Sequence, residues 1–372
     1  MKLLRVTATN YKNCCDNFTI DFVAKSKKTS EDKEYELHEI ADELFVCNTA
    51  AIVGKNASGK TSAIELLEAC YRIFETFRLE NDTYNYDNVK LEIFFYYDKQ
   101  IYKYNTILKS DSEFENKTKF TEQHIYQKKY TKSKIKNIFD DKGFKEIYFN
   151  SSLPEDISIL FFVLQAKILH AKYFDCNGEG VNTYNLLFRA IKTFDVTPTV
   201  LKSIIKIFDN NIQNLAMVDE KHYKLTYNNF TEELSDTELI HRLSSGTTKG
   251  ILLYVFMYGA LKTGFDLLID EIENHFHKTL VENMINLFKD KTVNKHSASL
   301  IFTTHYCELL DLFNRQDNIW IAKADDKIYL ENMYEQYDIR PELLKSRQFY
   351  NDTFKTAVNY EDLMALKKEL MK

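Results

Sequence analysis

Glycine and proline are scarce, with 9 and 3 among 372 residues, which excludes collagen-like, low-complexity and linker-dominated chains. No internal repeat is found. Six cysteines (Cys14, Cys15, Cys47, Cys70, Cys176 and Cys307) include no CxxC pair, so no zinc spacing is present and reduced thiols of a cytoplasmic protein are expected. The longest apolar-rich run, Ile157 to Leu169, is interrupted by Gln165 and falls short of the roughly 20 residues of a membrane-crossing helix. The start, Met1-Lys-Leu-Leu-Arg-Val-Thr, lacks the apolar core of a secretory signal. A sustained heptad pattern is also missing, which excludes long coiled-coil arms. A net charge of −6 argues against a protein that coats nucleic acid, though a local patch is compatible with it. What remains is a globular chain whose 44% hydrophobic content can build a core for one large domain or two ordinary ones.

The most informative stretch lies near residue 50. The apolar run Ala50-Ala51-Ile52-Val53 predicts a buried parallel strand, and it leads into Gly54-Lys55-Asn56-Ala57-Ser58-Gly59-Lys60-Thr61, a full match to GxxxxGK[ST]. Glycines in this pattern let successive N–H groups turn inward on phosphate oxygens. Lys60 can reach the β and γ phosphates of ATP, and the Thr61 hydroxyl can ligate Mg²⁺. Apolar residues Ile64, Leu67, Cys70, Tyr71 and Phe74 predict a helix from Ser62 to Phe77, whose positive end faces the same anion.

Around this stretch, Leu3 to Thr9 and Phe18 to Val23 alternate as two strands joined by the turn Asn10-Tyr11-Lys12-Asn13. Tyr11 or Lys12 could approach a nucleotide there, or could be a packed aromatic and a solvated lysine. Lys25 to Glu43, dense in charge, predicts an exposed excursion. Val89 to Tyr97 and Gln100 to Leu108 predict an antiparallel hairpin around Asp98-Lys99. From Lys117 to Lys136, seven lysines stand against the single acid Glu122, interleaved with aromatics. That run either contacts nucleic acid or is a solvated lysine-rich hairpin. Ile157 to Phe174 reads as a buried helix, and Leu201, Ile204, Ile205, Phe208, Ile212 and Leu215 as one face of a second. Tyr223 to Tyr227 is a short strand candidate, and Leu363, Leu366 and Leu370 give the tail an apolar helical face suited to docking on the core or on a partner, with its own core the expected surface.

Further along comes Arg242-Leu243-Ser244-Ser245-Gly246-Thr247, followed by an apolar helix, Ile251 to Leu261. Phe265 to Glu271 is an apolar strand ending in Asp270-Glu271, and Ser299 to His305 another ending in histidine. At a strand's carboxyl end Asp270 can hold Mg²⁺ and Glu271 can polarise an attacking water. His305 can hydrogen-bond that water or the γ-phosphate.

In these residues the chain resembles the ABC-type ATPases of the SMC, RecF and OLD-like branch. Gly54 to Thr61 is similar to the Walker A motif, Leu243 to Thr247 to the signature motif, Leu267 to Glu271 to Walker B, and His305 to the switch histidine. Ile269-Asp-Glu-Ile-Glu-Asn-His-Phe-His277 and Phe302-Thr-Thr-His305 further resemble the bacterial AAA15/AAA21 group. The resemblance implies an α/β P-loop fold with a mixed sheet, an antiparallel β lobe and an inserted helical subdomain. It implies ATP binding by Gly54 through Ser62 and Mg²⁺ binding by Thr61 and Asp270. It also implies catalysis by Glu271, His305 and Lys60, with Ser244 and Gly246 acting on the nucleotide of a second copy. The expected segments are 1–150 and 221–335 for the two halves of the ATPase core, 151–220 for the helical insert and 336–372 for a helical tail. A homodimer or higher homo-oligomer, a separate effector such as a nuclease or toxin, and a role in anti-phage defence follow from the same likeness. Two other readings stay open: a DNA-stimulated repair ATPase, and a nucleotide-gated scaffold with little turnover. Lys278 stands where the family often has proline, and neither Gln100 nor Gln165 is adopted as the glutamine-loop residue.

Overall fold

The computed structural model describes residues 1–80, 84–110, 117–164, 168–175, 183–219, 221–228, 230–274, 276–340, 342–355 and 360–371. Its first strands are β1 (Lys2–Thr9), β2 (Phe18–Asp21), β3 (Leu37–Ala41), β4 (Leu44–Cys47) and β5 (Thr49–Val53). After the helix Lys60–Thr76 come β6 (Lys90–Tyr97), β7 (Gln100–Ser110), β8 (Thr118–Lys129) and β9 (Lys145–Ile147). The remaining strands are β10 (Ala171–Asp175), β11 (Ile212–Met217), β12 (His222–Tyr227), β13 (Phe230–Ser235), β14 (Asp266–Asp270), β15 (Leu300–Thr304), β16 (Ile319–Ala324) and β17 (Ile328–Asn332).

Two sheets carry the architecture. One is wholly antiparallel, in the order β2-β1-β6-β7-β8-β9; in its β6–β7 hairpin Asp98 and Lys99 both take positive φ, the geometry that matches strand twist in a two-residue turn. The other runs β10-β14-β15-β5-β16-β17, with only β17 antiparallel to its neighbour. Every residue of β5, β14 and β15 is buried, as strands sandwiched on both faces must be. Alternation sorts their side chains. Ala51, Val53, Leu267, Ile269, Leu300 and Phe302 point to the helices Thr183–Thr193, Pro198–Phe208, Ser245–Thr263 and Lys278–Lys289. Ala50, Ile52, Leu268, Ile301 and Trp320 point to the helix Lys60–Thr76 and the antiparallel lobe. The result is the α/β P-loop fold with an antiparallel lobe and a helical layer on the far face.

Four sequence expectations are corrected. Ile157 to Phe174 is not one helix: its described part holds a single turn, Phe161–Leu164, and then β10, which pairs in parallel with β14. A mixed stretch such as Ala171–Asp175 fits a partly buried edge strand as well as a helix, and here the sheet claims it. Gln165 lies outside the described residues, as does Cys176. The second apolar stripe is split, because the helix ends at Phe208 and the Asp209-Asn210-Asn211 turn sends Ile212 and Leu215 into β11. The charged stretch after Lys25 is no exposed excursion. It forms the helix Ser30–Tyr35 with a Thr29/Asp32 capping box, and it buries Asp32 and Glu36. Arg315 Nη1 donates to Asp32 at 3.0 Å and Lys289 Nζ to Glu36 at 2.9 Å; buried charge persists where it is paired. Finally, the helix Tyr360–Leu370 exists, but Leu366 and Leu370 are 56% and 79% exposed, so those positions do not dock on the core. Helical spacing marks an apolar face without specifying what covers it; the Leu363 side chain lies outside the described residues.

No helix among the described residues is long and apolar enough to cross a membrane. The central sheet predicts its own test: Phe302, fully buried in β15 and ring-packed on Phe313 at 6.3 Å, should cost about 3–5 kcal/mol when replaced by alanine. A urea titration should show the loss as a lower midpoint at unchanged slope.

Candidate functional site

Strand order decides which residues meet. β15 lies between β14 and β5 and all three run parallel, so their carboxyl ends emerge along one sheet edge, neighbours about 4.8 Å apart. Thr304 pairs with Val53, which sets His305 beside Gly54. Ile269 pairs with Phe302, which sets Asp270 beside Thr303. Ligands in open parallel sheets bind outside this edge. There the structure has an open cleft of about 680 Å³, lined by Asn56 to Ser62, Glu271, Asn274, His305 and Ile328.

The loop before the helix is shaped by two glycines. A Cβ on Gly54 would lie 2.4 Å from the Ala322 carbonyl oxygen, and one on Gly59, at φ +90°, would lie 2.3 Å from Ile328. Gly59 caps the helix Lys60–Thr76 without a side-chain bond, leaving backbone N–H groups directed at the cleft, where an anion is favoured. Lys55, Asn56 and Ala57 are exposed while Ser58 is buried, its hydroxyl without a partner among the described residues.

Lys60 is 5% exposed. Its ammonium donates to the carbonyls of Gly54 at 3.2 Å and Lys55 at 3.1 Å, and it meets His305 Nδ1 at 3.3 Å. Burial pushes its pKa down, against the pull of Glu271, Glu273 and Asp270. Asp270 is in the mirror position: burial pushes its pKa up although Thr303 and Thr61 donate to it at 2.6 and 2.8 Å. A buried cation and a buried anion are thus both short of counter-charge. A phosphate beside Lys60 and a divalent cation beside Thr61 and Asp270 would supply it. Two oxygen ligands suit Mg²⁺, which keeps waters and phosphate oxygens in its other positions; no cluster of three or more ligating side chains is found among the described residues.

Glu271 sits at φ +51°, a left-handed conformation that costs a residue with a side chain about 1–3 kcal/mol and gathers at functional sites. Its N–H donates to Thr303 Oγ1 at 2.7 Å, its carboxylate accepts from Asn274, and its Oε1 lies 3.3 Å from His305 Nε2. His305 therefore spans Lys60 and Glu271. With Nδ1 accepting from the ammonium, Nε2 carries the proton toward Glu271.

The structure thus brings Lys60, Thr61, Ser62, Asp270, Glu271 and His305 around the loop 54–59. Ser244 and Gly246 are not among the residues lining that cleft. Ser244 is exposed at the start of the helix Ser245–Thr263, where its Oγ accepts from the Thr247 N–H at 3.0 Å. Tyr11 is fully buried, against Tyr84 and Tyr86, and Lys12 is ion-paired with Glu65, so the turn at 10–13 serves packing. Gln100 opens β7 in the antiparallel lobe. Four residues escaped the sequence reading: Thr303, Glu273, Asn274 and Ile328. Thr303 and Glu273 stood inside runs already singled out, but only the register of β14 on β15 reveals their partners.

Residues 50–311 match the family model described as "AAA domain, putative AbiEii toxin, Type IV TA system". Among solved structures the chain is similar to "Crystal structure of the SmcHead bound to the C-winged helix domain of ScpA", at 11% sequence identity and a TM-score of 0.45, with 91% of this chain and 100% of that chain covered. No curated protein matches.

The electrostatics make a test. The raised pKa of Asp270 means the folded state keeps its proton to a higher pH than the unfolded chain does, so this group's contribution is most favourable below the ordinary carboxylate value of about 4 and is lost as pH rises through the folded pKa. Asp270→Asn should therefore raise the melting temperature of nucleotide-free protein at pH 7, and the gain should vanish as pH falls below about 4.

Proposed function

The chain belongs to this AAA family, and from that premise we propose that it is an ABC-type ATPase of the SMC and RecF-like branch that hydrolyses ATP to ADP and phosphate with Mg²⁺, as a dimer that regulates a separate effector. The observation that carries the proposal is the single imidazole of His305 placed between the phosphate-loop lysine and the carboxylate of Glu271. In this reading the backbone of Gly54 to Gly59 cradles the phosphates, and Lys60 exchanges its carbonyl partners for phosphate oxygens. Thr61 and Asp270 hold the Mg²⁺ ion, which when bound neutralises charge on the phosphates. Glu271, oriented by Asn274, accepts the proton of the attacking water. His305 holds that water or the γ-phosphate through Nε2.

Assembly supplies the rest. The cleft is open, and the exposed Ser244, with Gly246, stands at the head of a helix and does not line the cleft of its own subunit. A second copy would lay these groups over the γ-phosphate, so a lone subunit lacks part of its electrostatic stabilisation. The expected 151–220 insert is not wholly helical, since Ala171–Asp175 belongs to the central sheet and Ile212–Met217 to a small one; its helices Thr183–Thr193 and Pro198–Phe208 pack on the helix Ser245–Thr263. The effector, a nuclease or toxin, and the anti-phage role rest on the family likeness, and the cytoplasmic setting on the reading of the cysteines as reduced thiols.

The lysine run does not favour a DNA-driven motor. Lys119 pairs with Glu155, Lys132 faces Asp42 and Glu43, and Lys128 is buried, donating to the carbonyls of Asn137 and Asp140.

Phosphate release and ATP binding measured side by side test the proposal. Glu271→Gln should lower turnover by about 10²–10⁴-fold while ATP binding persists, whereas Lys60→Ala should lose binding as well. DNA should leave the rate unchanged. Full turnover in Glu271→Gln would refute the assignment of the base, and wild-type function without measurable hydrolysis would favour a nucleotide-gated scaffold.

A further inference from the structure

Glu273 stands two residues beyond Glu271 and is 7% exposed. Oε1 accepts the backbone N–H of His305, while Oε2 is buried with no hydrogen-bond partner among the described residues. An acidic side chain kept in such a place is costly, and among the described residues its hydrogen bond falls on the main chain of the residue that bridges Lys60 and Glu271. β15 ends at Thr304, so the N–H of residue 305 has left the ladder and needs another acceptor. The route to it is built in. Positive φ at Glu271 turns the chain, the Ile272 N–H donates to the Thr303 carbonyl at 3.1 Å, and Glu273 then reaches the end of β15.

We propose that Glu273 is a positioning residue that holds His305 by its backbone, so that the carboxylate of Glu271 and the imidazole are set by one four-residue turn, Asp270 to Glu273. The role lies in reach, not in charge. Glu273 touches no reacting atom; it acts through His305, and the inference rests on the hydrolase reading of that histidine.

Two conservative variants separate reach from charge. Glu273→Gln keeps the length and the acceptor oxygen; Glu273→Asp keeps the charge and withdraws the acceptor by one methylene. Turnover, KM for ATP and amide hydrogen exchange of the peptide 300–307 in nucleotide-free protein are measured on both, with melting temperatures to verify folding. Glu273→Asp should lower kcat by about 10–100-fold with KM little changed, and should speed exchange at residue 305. Glu273→Gln should lose about tenfold less and keep the amide protected. Placed on His305→Ala, Glu273→Asp should cost nothing further, because the two act as a unit. The inference is overturned if Gln is the more damaging change, if Asp leaves both rate and exchange as in the wild type, or if its cost is undiminished without the imidazole. Turnover untouched by Glu271→Gln and His305→Ala would sink the hydrolase reading instead. In that event the exchange arm decides alone, and a protected amide in Glu273→Asp overturns the contact.

Discussion

Lys60 and Asp270 are buried charges whose own subunit gives them dipoles where they need ions, and the cleft is organised by that shortage. The lysine holds two carbonyls and an imidazole, and the aspartate holds two hydroxyls. Burial moves the pKa of each toward its uncharged form. Carbonyls and hydroxyls are the partners such groups can exchange at little cost when a phosphate and a divalent cation arrive. A tight internal Lys–Asp pair would have been more stable empty and harder to open. The site gives up stability in advance for a ligand it is shaped to receive.

That arrangement depends in turn on strand order. With β15 inserted between β14 and β5, the strand that ends in histidine separates the strand that ends in Asp-Glu from the one that feeds the phosphate loop. His305 consequently touches both Lys60 and Glu271, and Thr61 makes a second link by donating to Asp270. Thr303 extends the coupling, since the same hydroxyl donates to Asp270 and accepts from the Glu271 N–H. On the far face of the sheet, the helix that starts beside Ser244 is gripped by the helical layer: a Cβ on Gly250 would lie 2.2 Å from the Phe208 ring, and Tyr184 bonds Thr248 at 2.8 Å. The helix headed by Ser244 is thus packed tightly on that layer, which in the proposed dimer would link the neighbour's nucleotide to the helical surface.

Much of this was legible in the sequence where local chemistry is obligatory. A glycine-rich turn between an apolar strand and a helix leaves few alternatives, and strands ending in Asp270-Glu271 and His305 declare themselves by where their apolar runs stop. The β6–β7 hairpin was equally plain. Less legible were stretches whose identity is decided by partners far along the chain. Ala171 to Asp175 is strand because β14 offers it a parallel edge, and Asp32 and Glu36 are interior because Arg315 and Lys289 come to meet them. Glu273 and Thr303 drew no notice for the same reason: their roles exist only in the register of two strands separated by some thirty residues. Tyr11, fitted to either role by sequence, was decided by the aromatic rings of Tyr84 and Tyr86 packing against it.

In the proposed dimer the cleft around Lys60, Glu271 and His305 is half a site, completed by Ser244 of a second copy. Cysteines at the two expected points of contact test it most directly: Asn56→Cys in one copy mixed with Ser244→Cys in the other, both carrying Glu271→Gln, under mild oxidation. The account predicts a cross-linked dimer that forms with ATP and Mg²⁺ and not with ADP. Absence of the cross-link with ATP, together with a specific hydrolysis rate of the unmodified protein that stays constant on dilution to a monomer, would contradict it.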